Sequence, residues 1–411
     1  MPYRRAWLAV SLALFACGRS ELDALAPGGP GDGSPARVDG GVDATSGFDA
    51  GAGDDAEATV PDTGVAPSVH REEYVIPYTS TGEVDVYDLD DGFALARTFT
   101  VPPLAGLTAD NIRGVVASVT TGMLFVSWNP GSALGCDLVS GKVTWQQSYG
   151  AIDSMAITPD GTTLFLPSPD ATTPGRWLVL DARTGLTTGS IDSGGAGPHN
   201  TTVTLDGSRV FLGPLDSNYL VVADAVTHAV LSRVGPTSAG VRPFTINGAG
   251  TLAFFTTSSL LGYYVGDVTT GKVLYTVTPP GFPYSQPTFA GTTGIAHGMS
   301  LSPDETELYQ LDYPYSYVHV YDVTGLPGAP PKDVADIPLK TPLNSEGWLQ
   351  HTRDGQYVVV GNSGDVIDAA SRTIVANLPA LRGTRIFTEV DVQSGRPVFT
   401  PLSRNQGGYR K

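Results

Sequence analysis

Four residues able to hold or move charge recur at intervals of 43 to 55 positions: Asp153, His199, Arg242 and His297. Each lies eight residues before the turn position of a strand–turn–strand phrase, at Gly161, Gly207, Gly250 and Glu305. The flanking register position adds Arg113 and Glu346. An arginine holds an anionic group, the two imidazoles can transfer protons, and the carboxylates can serve as bases. A shared offset from a repeated turn means that one repeated element presents all of these residues at the same level of the fold. His228 on a turn and His319 inside a strand read as structural, whereas His351 belongs to an inner strand and could face either channel or sheet.

The repeated element is visible in two phrases. One ends in an aspartate before a short Thr, Ser or Gly turn, as in "VDVYDLDDG", "WLVLDARTGL" and "VHVYDVTGLP". Its aspartates are Asp88, Asp137, Asp181, Asp224, Asp267, Asp322 and Asp368. The other is a strand, a Pro-Asp-Gly type of turn and a second strand, as in "AITPDGTTLFL", "SLSPDETELYQ" and "HTRDGQYVVVG". Alternating apolar residues with a period in the forties predict an all-β, seven-bladed β-propeller with four-stranded blades. The seven aspartates are expected to accept turn N–H groups rather than to form a metal ring. Blade 1 lacks its inner strand at the N-terminal side. Residues 384–405 are expected to supply it and so to close the ring within the propeller domain, 71–411.

Glycine (50) and proline (32) are abundant and charge is sparse, as in a turn-rich β protein. A net charge of -17 argues against nucleic acid as a partner. Residues 1–16 read as a lipoprotein signal peptide: Arg4 and Arg5, then an apolar run too short to span a bilayer, then "LFAC", a lipobox-like end. Cys17 is the expected lipidation site, giving a membrane partner through a lipid anchor and a location in the cell envelope, at the outer membrane, with the propeller in the periplasm or at the cell surface. Residues 17–70 read as a disordered acidic tether, with ten acidic and two basic residues between 18 and 69. Beyond Cys17 the remaining cysteine is Cys136, so a processed chain forms no internal disulfide.

The phrases "ITPDGTTLFL", "LSPDETELYQL", "YVHVYDVTG" and "YVVVGNSGDVIDAASRTIVANLPAL" resemble the YVTN family of β-propellers, in particular its YncE-like bacterial members. The resemblance covers about residues 72 to 405 and departs from the pattern in blade 2 ("SVTTGM") and blade 5 ("INGAGT"). It implies a binding or scaffolding module for a protein, glycan or small ligand at one channel mouth. It also admits an enzyme, either a lactonase-like hydrolase or an amine-dehydrogenase-like subunit. In the hydrolase, His199 or His297 would be the acid/base and Arg242 would hold a carboxylate; the subunit would need a cofactor-bearing partner. The sequence holds no nucleophile elbow, no paired metal motif and no cofactor fingerprint, so neither a cofactor nor a metal is expected. The long connection "TPPGFPYSQPTFAGTTG" and the loop "DYPYSY" are expected to form an aromatic rim of Phe282, Tyr284, Phe289, Tyr313 and Tyr315 beside His297.

Overall fold

Seven antiparallel sheets follow one another along the chain. The structure is a computed structural model, described over residues 68–108, 110–168, 175–195, 197–284 and 295–410. The signal peptide, Cys17, Phe289 and nearly all of the tether lie outside these residues. Blade 2 consists of Ile112–Ser118, Met123–Trp128, Ser132–Asp137 and Val143–Ser148, and these strands, a to d, pair in sequence order. Blades 3 to 7 repeat the order, with inner strands a at Ala156–Ile157, Pro198–Val203, Val241–Ile246, Met299–Leu301 and Trp348–His351. The expected all-β, seven-bladed propeller is the observed fold.

Apolar residues on strands a to c face the neighbouring blades, and each of the seven blade interfaces has its own cluster. Trp177, Phe165 and Val203 fill the interface of blades 3 and 4, for example. Strands d lie on the rim and are largely exposed, as Ala94–Thr100 and Val143–Ser148 show. Cys136 is buried and free, and burial pushes its thiol up to about 12.

All seven aspartates at the c–d turns accept turn N–H groups, at 2.6 to 3.2 Å. The a–b turns use a second device. Thr158, Thr204, Ser302 and Thr352 donate their hydroxyls to Asp160, Asp206, Asp304 and Asp354 at 2.5 to 2.7 Å. Blade 5 substitutes Asn247, whose side-chain oxygen takes the N–H groups of Thr251 and Leu252. Hydrogen bonds from Thr204 and Ser208 hold the Asp206 carboxyl down to about 2. The stabilisation that Asp206 supplies is therefore complete above its unfolded pKa near 4 and fades as pH falls toward 2. Asp206→Ala should cost about 1 kcal/mol at pH 7, discounted for exposure, and much less at pH 2.5. Urea unfolding at the two pH values measures this, and an equal loss at both would contradict it.

Blade 1 is completed from both ends of the propeller. Its sheet runs Arg396–Phe399, Phe387–Gln393, Val69–Val75, Glu83–Asp88 and Ala94–Thr100. Phe387–Gln393 is the missing inner strand, paired over its length with Val69–Val75. The chain then enters the channel. Thr400 donates to the Ala117 carbonyl of blade 2, and Leu402 O accepts from Ile157 N of blade 3. Asn405 donates to Thr201 O of blade 4, and Gly408 N to Ile246 O of blade 5. Tyr409 N reaches Pro303 O of blade 6, and Arg404 O accepts from the Trp348 indole of blade 7 at 2.9 Å. Residues 400–410 thus form a plug across the channel. Glu305, at φ +59 where the other turns have glycine, anchors its end by accepting from Gly248 N and Arg410 N.

Candidate functional site

At the mouth where the inner strands begin, each blade contributes one polar side chain. In blade order these are Arg385, Arg113, Asp153, His199, Arg242, His297 and Glu346. Asp153, His199, Arg242 and His297 share one offset from their turns and Arg113 and Glu346 lie one residue before it, and His199 and His297 stand 6.4 Å apart between ring centroids, edge to face. His199 Nε2 lies 3.7 Å from Asp153 Oδ2, and His297 Nε2 lies 3.4 Å from Glu346 Oε2. Glu346 also accepts from Arg385 Nη1 at 3.0 Å.

The proton positions follow from the hydrogen-bond partners. His297 Nδ1 faces the Gly347 carbonyl at 2.9 Å, an acceptor, so Nδ1 carries the hydrogen. His297 Nε2 is then a bare lone pair when the ring is neutral, and it is buried without a hydrogen-bond partner. His199 Nδ1 receives the Asn200 amide at 2.5 Å, which leaves its Nε2 as the donor, directed at Asp153. Burial lowers His199 to about 4 against the pull of Asp153, and lowers His297 to about 3 against that of Glu346. Near neutral pH the mouth therefore presents one imidazole donor and one imidazole acceptor.

Arg242 stands between them in blade order. Its Nε donates to Ser258 Oγ at 2.8 Å, and its terminal amines make no hydrogen bond or ion pair among the described residues. Arg113 is less available. Its guanidinium donates to the Asn129 side chain at 2.7 and 2.6 Å, with the amide oxygen turned toward it, and its carbonyl accepts from Arg404.

Two contributors escaped the sequence reading. Arg385 belongs to blade 1, which has no Pro-Asp-Gly turn from which to count, although its place just before the last inner strand marks it. Arg404 comes from the plug and forms the floor of the site. Its guanidinium lies 4.0 Å over the Trp348 ring, whose other neighbour is His297 at 5.5 Å. Arg404 is 4% exposed, and its Nε has no partner. Burial and the nearby Arg385 lower its guanidinium to about 9 against Asp153. No side chain repeat could reveal this residue, because the plug is used once.

Two residues of the expected rim, Phe282 and Tyr315, pack on each other. Phe282 meets Tyr315 at 5.4 Å, Tyr317 at 5.0 Å and His319 at 4.7 Å. Tyr315 donates to Pro283 O, and Tyr313 donates to Asn344 O. Phe282, Tyr284 and Tyr315 pack against Ile295 and Ala296, just before His297. His351 faces blade 6, bonded to Ser300 Oγ at 2.9 Å and edge-on to Tyr309. No family model matches the chain, and no curated protein is significantly similar to it.

Proposed function

We propose that the propeller is a binding module whose channel mouth takes a small organic anion, a carboxylate or phosphate that also carries a hydroxyl. Arg242, half-buried between two neutral histidines and with terminal amines that have no partner among the described residues, is the observation that carries this reading. With both rings neutral, Arg113, Arg242, Arg385 and Arg404 outnumber Asp153, Glu346 and the exposed Asp216. A half-buried guanidinium whose terminal N–H donors are unfilled is suited to an anion that accepts from them. His297 Nε2 would accept from the ligand hydroxyl and His199 Nε2 would donate to the ligand. The lipobox-like end before Cys17 and the acidic segment after it support export and a lipid anchor in the cell envelope. The YVTN-like phrases support a family of such exported propellers.

A thermal-shift screen of hydroxy acids and phosphorylated sugars, followed by calorimetry, tests the reading. At least one compound should bind one-to-one, and Arg242→Met should weaken it at least thirty-fold without changing the melting temperature by more than a few degrees. Binding that survives Arg242→Met would place the anion elsewhere.

The bare His297 Nε2 beside Glu346 favours a second reading, a hydrolase that acts on an ester or lactone of such an acid. That base would take a proton from an attacking water while Arg242 holds the carboxylate. Hydrolysis of lactones by the full chain, lost in His297→Ala, would establish it; binding without turnover would leave the binding module.

A further inference from the structure

On the outer half of blade 6, away from the channel, His319 is fully buried between acids. Its Nε2 meets Asp312 Oδ2 at 3.1 Å and its Nδ1 meets Asp336 Oδ1 at 2.5 Å. Strand c, Tyr317–Asp322, places His319 opposite Asp336 and Tyr321 opposite Asp333 on strand d, Lys332–Pro338. One imidazole nitrogen and one carboxylate oxygen each from Asp333 and Asp336 lie within 4.8 Å of one another. No lysine or arginine pairs with Asp312, Asp333 or Asp336 among the described residues. Even with the imidazole protonated, three carboxylates leave an excess of negative charge in a half-buried site, which is costly without a counter-ion.

A second observation points into the same space. Tyr263 and Tyr321 are 0% and 1% exposed, their rings meet at 5.1 Å, and neither hydroxyl has a hydrogen-bond partner among the described residues. Asp333 Oδ2 is buried and also unpartnered. Both hydroxyls lie close enough to Asp333 to feel its charge. Three unmet polar atoms beside an acid–imidazole cluster are what a bound ion and its water would satisfy.

We propose that His319, Asp333 and Asp336 bind a divalent first-row ion such as Zn²⁺ or Mn²⁺, with Asp312 orienting the imidazole from behind and the Tyr263 and Tyr321 hydroxyls facing an ion-bound water. An imidazole with two carboxylates suits these ions, whereas Ca²⁺ prefers an all-oxygen set. A carboxylate behind a ligating histidine is the usual outer partner of such a site. Strand spacing presents the donors, and metal-bond lengths near 2.0–2.2 Å require Asp336 to withdraw slightly from Nδ1 as the ion enters. The bound ion would clamp the outermost strand of blade 6 to strand c.

The full chain, stripped with a chelator and exchanged into chelator-free buffer, is titrated with Zn²⁺ and with Mn²⁺ by calorimetry and then analysed for bound metal. One ion per chain is expected, together with a melting temperature that rises with ion concentration. Asp336→Asn, on the exposed edge strand, should weaken binding at least ten-fold, and Asp333→Asn/Asp336→Asn at least a hundred-fold. His199→Ala/His297→Ala should leave binding unchanged. The proposal is overturned if neither ion binds to the stripped chain, if Asp336→Asn binds as tightly as wild type, or if the channel substitutions abolish binding. Circular dichroism of each variant separates a lost site from a lost fold, and the single edge-strand variant remains decisive if the double variant does not fold.

Discussion

A chain ended at Thr384 is expected to show no cooperative unfolding transition, while a chain ended at Phe399 is expected to fold but to lose its affinity for the channel-mouth anion. The first truncation removes Phe387–Gln393, the inner strand of blade 1. With it go Ile386, Phe387 and Val390, buried at the interfaces of blade 1 with blades 2 and 7. Losing one large buried apolar side chain costs about 2–5 kcal/mol, and a folded domain has only about 5–15 kcal/mol in hand. The unpaired edge of Val69–Val75 would also invite aggregation. The second truncation spares the strand and removes the plug. Several inner-strand groups then turn to water, including the Trp348 indole N–H and the Thr201 carbonyl, so the melting temperature falls while the ring stays closed. Arg404 is lost from the Trp348 ring face, and the site loses one of its cations. Thermal melts followed by circular dichroism and calorimetric titration with the anion read both effects. A Thr384-ended chain that melts within a few degrees of the full protein would refute the closure mechanism. Unchanged affinity in the Phe399-ended chain would remove Arg404 from the site.

Glu73→Gln/Glu389→Gln is expected to raise stability at pH 8 and to steepen its loss toward acid. Glu73 and Glu389 face each other across the closing strand pair, both 1% exposed, with Asp391 nearby. Arg353 N donates to Glu389, while Glu73 Oε1 and Asp391 Oδ1 have no partner. Burial, reinforced by the neighbouring carboxylates, raises Glu73 and Glu389 well above the usual range, and burial raises Asp391 to about 6. The unfolded chain releases these protons near pH 4 and the folded chain retains them. Stability therefore falls as pH rises above about 4, by up to about 1.4 kcal/mol per pH unit and group, until each folded pKa is reached. The buried histidines act in the opposite sense. Burial lowers His199 to about 4, and His297 and His351 to about 3, so their contribution is complete above about 6.5 and is lost as pH falls toward 4. In the wild type the two slopes oppose each other between about pH 4.5 and 6.5. Glutamine removes the slope of the two glutamates and leaves only Asp391 to offset the histidine decline toward acid, so the profile flattens above neutrality and falls more steeply below it. Urea unfolding from pH 4.5 to 8.5 measures this. Parallel profiles for wild type and variant would mean that the glutamates are already ionised in the fold.

The ring of blades was legible because its chemistry repeats. Every c–d turn needs an acceptor for its N–H groups, so an aspartate returns in each blade and its interval reports the period. The same repetition placed Asp153, His199, Arg242, His297 and Glu346 at one level. It was silent about Arg385, whose blade lacks the reference turn, and about Arg404, which belongs to no blade. Residues 384–405 were legible as the closing segment only through what blade 1 lacked. That the chain continues from there across the channel depends on backbone groups from five blades and the Trp348 indole of a sixth, which no local pattern encodes.

His319 shows the same division from the other side. Its place in strand c marked it as structural, since period-two alternation says only that it points into a face. Opposite it lies Asp336, and a register irregularity between Val320 and Tyr321 brings Asp333 opposite Tyr321. Sequence by itself determined the number of blades, the strand order and which side of each strand is apolar, because these follow from local hydrogen bonding and alternation. Only the tertiary structure decided which polar groups meet without a partner, because charge balance and burial arise where distant segments pack together.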